Sequence, residues 1–236
     1  MFKRTMITTL VATATVLSAG VASAMPVTAT LKNVNDAFAI NYVGTFDGAN
    51  LNATITFTLA GAFSGSGKQA VLGVTIDNNS TGVGANRLTA FGIDTVAPTL
   101  TSVTDNSADW AGFLGSSFPG GFQKVDLCAA SGGSNCSGGA GGGVAALDPN
   151  YNFALTLTTS GVFNSTNGIS FTSPYAVKFQ SVGKAGKSVE FAGCLTTDTR
   201  CVSSPPQEFN VPEPTALALV GISVFGAAAA TRRRKA

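Results

Sequence analysis

Leu51-Asn52-Ala53-Thr54-Ile55-Thr56-Phe57-Thr58-Leu59 decides the fold. Leu51, Ala53, Ile55, Phe57 and Leu59 fall on one side of an extended chain, and Asn52, Thr54, Thr56 and Thr58 on the other. Side chains of a strand alternate between its two faces. A strict period of two with β-branched threonine on the polar side therefore predicts a half-buried antiparallel strand. Upstream, Phe38, Ile40 and Tyr42 alternate within 38–46, and Asp47-Gly48 supplies a turn that joins the two segments as a hairpin.

The same reading extends in both directions. Residues 27–34 form a first strand, and Ala70, Leu72, Val74 and Ile76 alternate in another. Segments 88–96, 100–104, 122–128, 151–157, 169–171, 175–182 and 188–195 complete the set. Glycine, asparagine and proline punctuate the gaps, as at Gly61–Gly67, Asp77–Gly82 and Ala97-Pro98. Ser107 to Leu114, which holds the single tryptophan, Trp110, reads as a helical turn capped by Asn106 or Ser107. Short strands between turn signals, with almost no helical periodicity, predict an all-β chain, a single antiparallel β-sandwich of jelly-roll-like form. Sixteen phenylalanines, most of them in these strands, supply a core between two sheets.

The two ends differ from this middle. Lys3 and Arg4, the apolar stretch from Met6 to Leu17, and the small residues Ala22 and Ala24 around Ser23 form a secretory signal peptide over 1–24. Residues 25–204 are the β-sandwich domain, and 205–214 a Pro-rich linker that ends in Val211-Pro212-Glu213-Pro214. Residues 215–236 form a C-terminal apolar helix followed by a basic stop, Arg232-Arg233-Arg234-Lys235. Its apolar run from Ala216 to Ala230 is short beside the roughly 20 residues a bilayer span needs, and the arginines orient it with its body outside the cytoplasm.

Charge and composition exclude several functions. Between Met25 and Asn210, eight basic residues face eleven acids, so the domain carries −3 and the chain's formal +2 comes from its termini. No basic patch points to nucleic acid. The absence of histidine removes the commonest general base and metal ligand. Gly138 to Gly143 lacks the Lys-Ser/Thr ending of a phosphate loop and reads as a flexible surface loop. Asp77-Asn78-Asn79 and Asp105 with Asp109 offer oxygen ligands to calcium, but such turns need no metal. No cofactor or metal is expected.

Cys128, Cys136, Cys194 and Cys201 form an even set in an exported chain, which favours disulfides. Three pairings are open. Local pairing, Cys128 with Cys136 and Cys194 with Cys201, is expected because each pair brackets a short turn-rich segment. A zinc site would need all four thiolates, at spacings longer than zinc sites use.

The Val211-Pro212-Glu213-Pro214 step, the apolar run and the terminal arginine cluster together resemble the PEP-CTERM sorting signal of Gram-negative bacteria. That resemblance covers about a tenth of the chain. It implies recognition by exosortase, a membrane cysteine protease or transpeptidase, transit through the inner membrane on the C-terminal segment, and association with exopolysaccharide and biofilm. Val125-Asp126-Leu127-Cys128, Asn135-Cys136 and the following Gly138 to Val144 are similar to the pattern of the cistern group of PEP-CTERM proteins.

The expected function is thus a non-enzymatic protein of the periplasm, cell surface or extracellular matrix. One alternative is a carbohydrate-binding jelly-roll module that stacks sugars on Trp110 with Tyr42, Tyr151 or Tyr175. Another is a glycan-active hydrolase, which needs two converging carboxylates. The domain's glutamates do not provide them. Glu190 reads as a solvent-facing strand residue and Glu208 lies in the linker.

Overall fold

The hydrophobic side of the 51–59 segment is buried along its whole length, and its polar side is not. The computed structural model describes residues 27–199, except 123 and 140. Among the described residues all regular structure is β, in thirteen strands. They are β1 (Thr28–Leu31), β2 (Ala37–Phe46), β3 (Ala49–Leu59), β4 (Gln69–Asn78), β5 (Thr81–Gly82), β6 (Gly84–Ala97) and β7 (Leu100–Asp105). There follow β8 (Trp110–Ser117), β9 (Lys124–Ser131), β10 (Tyr151–Thr159), β11 (Ile169–Val182), β12 (Lys187–Ala192) and β13 (Cys194–Leu195). The predicted signal peptide and C-terminal helix lie outside the described residues.

The strands form two antiparallel sheets. One runs β1-β11-β6-β9-β8, with β12 also on β11, and the other runs β13-β2-β3-β4-β10-β7, with short β5 on β3. The β2–β3 hairpin has the expected turn. Asp47 and Gly48 both take positive φ, 46° and 82°, between the paired residues Phe46 and Ala49. Positive φ at both central residues is the type I′ geometry that matches strand twist.

The two sheets enclose one core. Phe57 of β3 meets Phe91 of β6 edge-on at 5.4 Å, Phe91 stacks on Trp110 of β8 at 6.0 Å, and Trp110 stacks on Phe153 of β10 at 5.5 Å. This chain of rings ties strands of both sheets together, and fully burying one such ring is worth about 1.5–3 kcal/mol.

Three expectations need correction. Ser107 to Leu114 is not a helical turn, since Trp110 begins β8 and pairs with Ser131 of β9. The capping chemistry is real but local: Ser107 Oγ accepts the N–H groups of Asp109 (3.1 Å) and Trp110 (3.0 Å), then the chain extends. Such serine turns start strands as readily as helices. Segments 169–171 and 175–182 are one strand, β11, continuous through a cis Ser173-Pro174 bond. Segment 188–195 is two strands, β12 and β13, parted at Gly193. A Cβ there would strike the Tyr42 ring and Ile40.

Candidate functional site

Part of the outer face of the first sheet is covered by a second layer. Cys128 of β9 is bonded to Cys136, with Cα atoms 5.9 Å apart and both residues fully buried. They join Phe118, Phe122, Val125, Ala130 and Ala176 in a second, smaller core on that face. The expected pairing of Cys128 with Cys136 is thus present. Cys194 is also disulfide-bonded, and its expected partner Cys201 lies outside the described residues.

The glycine-rich segment is at the surface over 132–135 and at Gly141, as expected, but around Gly138, Gly139 and Gly143 it is packed against β6 and β9. Leu88 and Val144 exchange N–H···O bonds of 3.0 Å in both directions, and Gly139 N–H donates to the Ser131 carbonyl at 2.6 Å. A Cβ at Gly138 would stand 2.7 Å from the Thr89 carbonyl oxygen, and one at Gly143 would strike the Leu88 backbone. Glycine is required because two backbones approach closely and both residues have positive φ.

Glu190 is not solvent-facing. It sits 3.8 Å from Lys178 Nζ, and both side chains are largely buried. The 118–121 turn covers it, so that a Cβ at Gly120 would collide with its side chain. Burial pushes the Glu190 carboxyl above its ordinary value, against the opposing pull of Lys178. Gln180, on the same strand as Lys178, is buried, and its Oε1 lacks a partner among the described residues.

The other candidates have structural work. Trp110, Tyr42 and Tyr175 are buried, so they form no sugar-stacking platform. Tyr151 is partly exposed, but its ring packs against Trp110 and its hydroxyl donates to Asp109 Oδ2 (2.9 Å) beside Ser107 Oγ. Asn78 is buried and donates to the carbonyls of Asn86 and Val144, both at 2.8 Å. Asp105 accepts the N–H groups of Ser107 (3.3 Å) and Gly112 (3.1 Å). Among the described residues no group of three potential metal ligands converges. Asp94 and Asp126 meet in a strand-to-strand contact in which Asp126 N–H donates to Asp94 Oδ1 (3.1 Å). Burial first, and the Asp126 charge after it, raise the Asp94 carboxyl.

Two surfaces remain. The outer face of the second sheet is uncharged over most of its extent. Thr56, Thr75 and Asn152 stand in one register across β3, β4 and β10, and Asn41, Thr54 and Asp77 in the next. Thr75 donates to Asn152 (2.6 Å) and Thr54 to Asn41 (3.0 Å). The second surface is a cleft of about 470 Å³ among the connections β1–β2, β3–β4 and β10–β11, lined in part by Lys32, Val34, Phe63, Val162 and Asn164. Sequence reading missed it, although Val34 and Val162, apolar residues in polar turns, were its signal.

None of this places a reaction, and the decisive observation lies beyond the described residues. Residues 210–235 match the family described as the PEP-CTERM protein-sorting motif. The chain carries a PEP-CTERM sorting motif. That motif implies export across the membrane, processing by exosortase, and a cell-surface or extracellular destination. The match includes Val211 to Pro214 and the basic stop at Arg232 to Lys235, the residues on which the resemblance was drawn. No curated protein and no solved structure matches the chain.

Proposed function

We propose that this protein is a non-enzymatic component of the surface or extracellular matrix of a Gram-negative bacterium, held in its exopolysaccharide layer or biofilm. The observation that carries the reading is the sorting motif at residues 210–235, behind a two-sheet β-domain. Residues 1–24 export the chain as a signal peptide, and the 215–236 segment crosses the inner membrane as a short helix until exosortase acts.

The polar groups bonded within the domain support this reading. Asn78, Asp105 and Lys178 with Glu190 bind other parts of the fold and do not line the cleft. Contact with glycan, if made by the domain, falls to the hydroxyl and amide groups of the Thr56–Thr75–Asn152 face, because three of the four candidate stacking rings are buried. Such groups exchange hydrogen bonds with water and with sugar hydroxyls at similar strength, which suits residence in a hydrated polymer. Deleting residues 211–236 should leave a folded domain that reaches the wrong compartment. A truncated chain recovered from the same fraction as the intact one would refute the reading.

A further inference from the structure

Gly73 lies in the middle of β4, where a glycine weakens a strand and needs a reason. The fold supplies none. Gly73 pairs with Thr58 of β3 and Ala154 of β10 in unbroken register, so it marks no bulge. Its φ is not positive. A Cβ there would come no nearer than 3.6 Å to the atoms packed around it, at the Thr58 carbonyl oxygen, which is ordinary van der Waals contact. Two other strand glycines differ. A Cβ at Gly92 would stand 2.8 Å from the Phe118 ring, and one at Gly112 2.9 Å from Val103. Packing needs those two and does not need Gly73. A strand glycine that no neighbour crowds marks a close approach from outside the fold.

The surroundings of Gly73 define what could approach. Alternation puts it on the outer face of the second sheet, beside Ala154. Two residues along the strands in one direction stand Thr75 and Asn152, and in the other Val71 and Thr156. These two ends are about 13–14 Å apart. Thr58 flanks the dip on β3, and Asn106, whose Oδ1 accepts the Ala154 N–H at 2.7 Å, flanks it on the far side of β10. The floor is thus the Gly73 backbone and the Ala154 methyl, and most of the rim is hydroxyl and amide. Thr75 Oγ1 donates to Asn152 Oδ1 at 2.6 Å, which fixes both groups in advance. The Thr75 oxygen can still accept and the Asn152 amide can still donate.

Charge and polarity select the occupant. None of the rim residues is charged, and Asp77, the next residue of this face beyond Thr75, is negative, so an anion is disfavoured. A second copy of the chain would need an apolar centre, which this face lacks. An extended peptide pairs with a sheet edge, and β4 lies inside its sheet between β3 and β10. A neutral sugar ring meets both needs, since it carries an apolar C–H face and a rim of hydroxyls.

We propose that the Gly73 dip seats one ring of a neutral polysaccharide, with its C–H face over Ala154 and Val71 and its hydroxyls bonded to Thr75, Asn152 and Thr156. This names the sugar class for the polar face described above, and it rests on the reading of that face as the one that meets glycan.

Substitution of Gly73 tests it, because fold and binding should change in opposite directions. Gly73→Ala removes the entropic cost of glycine without a collision, so the melting temperature should rise by about 1–4 °C. Binding should fall by about threefold, and by more than about tenfold in Gly73→Val, whose side chain takes the place of the sugar ring. Thr75→Val keeps the shape without the hydroxyl and should weaken binding by about threefold to tenfold. Val162→Ala, in the cleft, should bind as the wild type does. The assay is retardation of the purified full chain in native gels cast with neutral glucan, galactan or mannan, with the neutral fraction of the host's own exopolysaccharide, or with polygalacturonate. Circular dichroism confirms that each variant is folded. Retardation by no neutral polymer, retardation by polygalacturonate alone, or undiminished binding by Gly73→Val overturns the proposal. A lower melting temperature in Gly73→Ala also overturns it, because the fold would then need the glycine. So does a wild-type dimer that Gly73→Val dissociates in sedimentation, which would assign the face to a second copy. The gels report on purified protein, so lost retardation leaves the sorting reading intact, and a mis-sorted chain leaves the gels unchanged.

Discussion

Replacing Cys128 and Cys136 together by alanine tests how the outer face of the first sheet is held. The bond closes a loop of eight residues. In the chain-entropy treatment that loop restrains the unfolded chain by −2.1 − 1.5R ln 8, roughly −8 cal/mol/K, or about 2.5 kcal/mol at 25 °C. Both residues are fully buried beside Phe118 and Phe122, so each lost sulfur also removes apolar contact worth about 0.8 kcal/mol, on the scale of one methylene. The sum is about 4 kcal/mol. For a domain of this size 1 kcal/mol corresponds to about 2–4 °C, so the melting temperature should fall by about 8–16 °C. The assay is reversible thermal unfolding of the double variant with Cys194 and Cys201 unchanged, supported by the denaturant midpoint. A fall of less than about 3 °C would refute the reasoning. It would mean that the Leu88–Val144 bridge and the glycine contacts hold the 132–143 segment without the disulfide.

Three further outcomes are expected. Burial raises the Glu190 carboxyl, and its 3.8 Å separation from Lys178 is long for a charge-assisted bond, so burial outweighs the pairing. Ionising Glu190 therefore costs stability as pH rises from its unfolded value of about 4.3 through its higher folded value. Glu190→Gln should match the wild type in acid and exceed it at neutral pH, and urea titrations showing a less stable variant at neutral pH would contradict this. Gly143→Ala forces a Cβ onto the Leu88 backbone at a φ of +83°, and should cost more than 2 kcal/mol in chemical denaturation, roughly the sum of strain and collision. Asp105→Ala removes the acceptor of Gly112 N–H on the edge strand β8, and should cost about 1–3 kcal/mol and expose that edge to self-pairing, seen as concentration-dependent light scattering.

The strands were legible because burial on one face writes a period of two into sequence. It was strongest at Leu51–Leu59 and at Tyr151–Leu157, where alternation is uninterrupted. The turn at Asp47-Gly48 was legible for a similar reason, since few residues accept positive φ twice in succession. What sequence did not show was the second layer over the first sheet. Phe118, Phe122 and the glycines of 132–143 lie in connections, where no period marks which side is buried. For the same reason Glu190 looked solvent-facing: its face of β12 is covered by a turn some seventy residues earlier in the chain. Ser107 misled because one hydroxyl satisfies the first N–H groups of a helix or of a strand-opening turn equally well. The sorting motif needed no fold to be read, since its order of proline step, apolar run and arginines is linear. The cleft was hidden because its walls come from three connections far apart in sequence.

The central claim is that residues 210–235 are a sorting signal that is used and processed. The intact mass of the mature protein, taken from the native host and from a strain lacking exosortase, tests it most directly. The account predicts a chain that begins at Met25 and ends near Pro214 in the native host, without the apolar run from Ala216 to Ala230, and a chain that retains this run through Ala236 in the exosortase-deficient strain. The same full-length mass through Ala236 in both strains would contradict it.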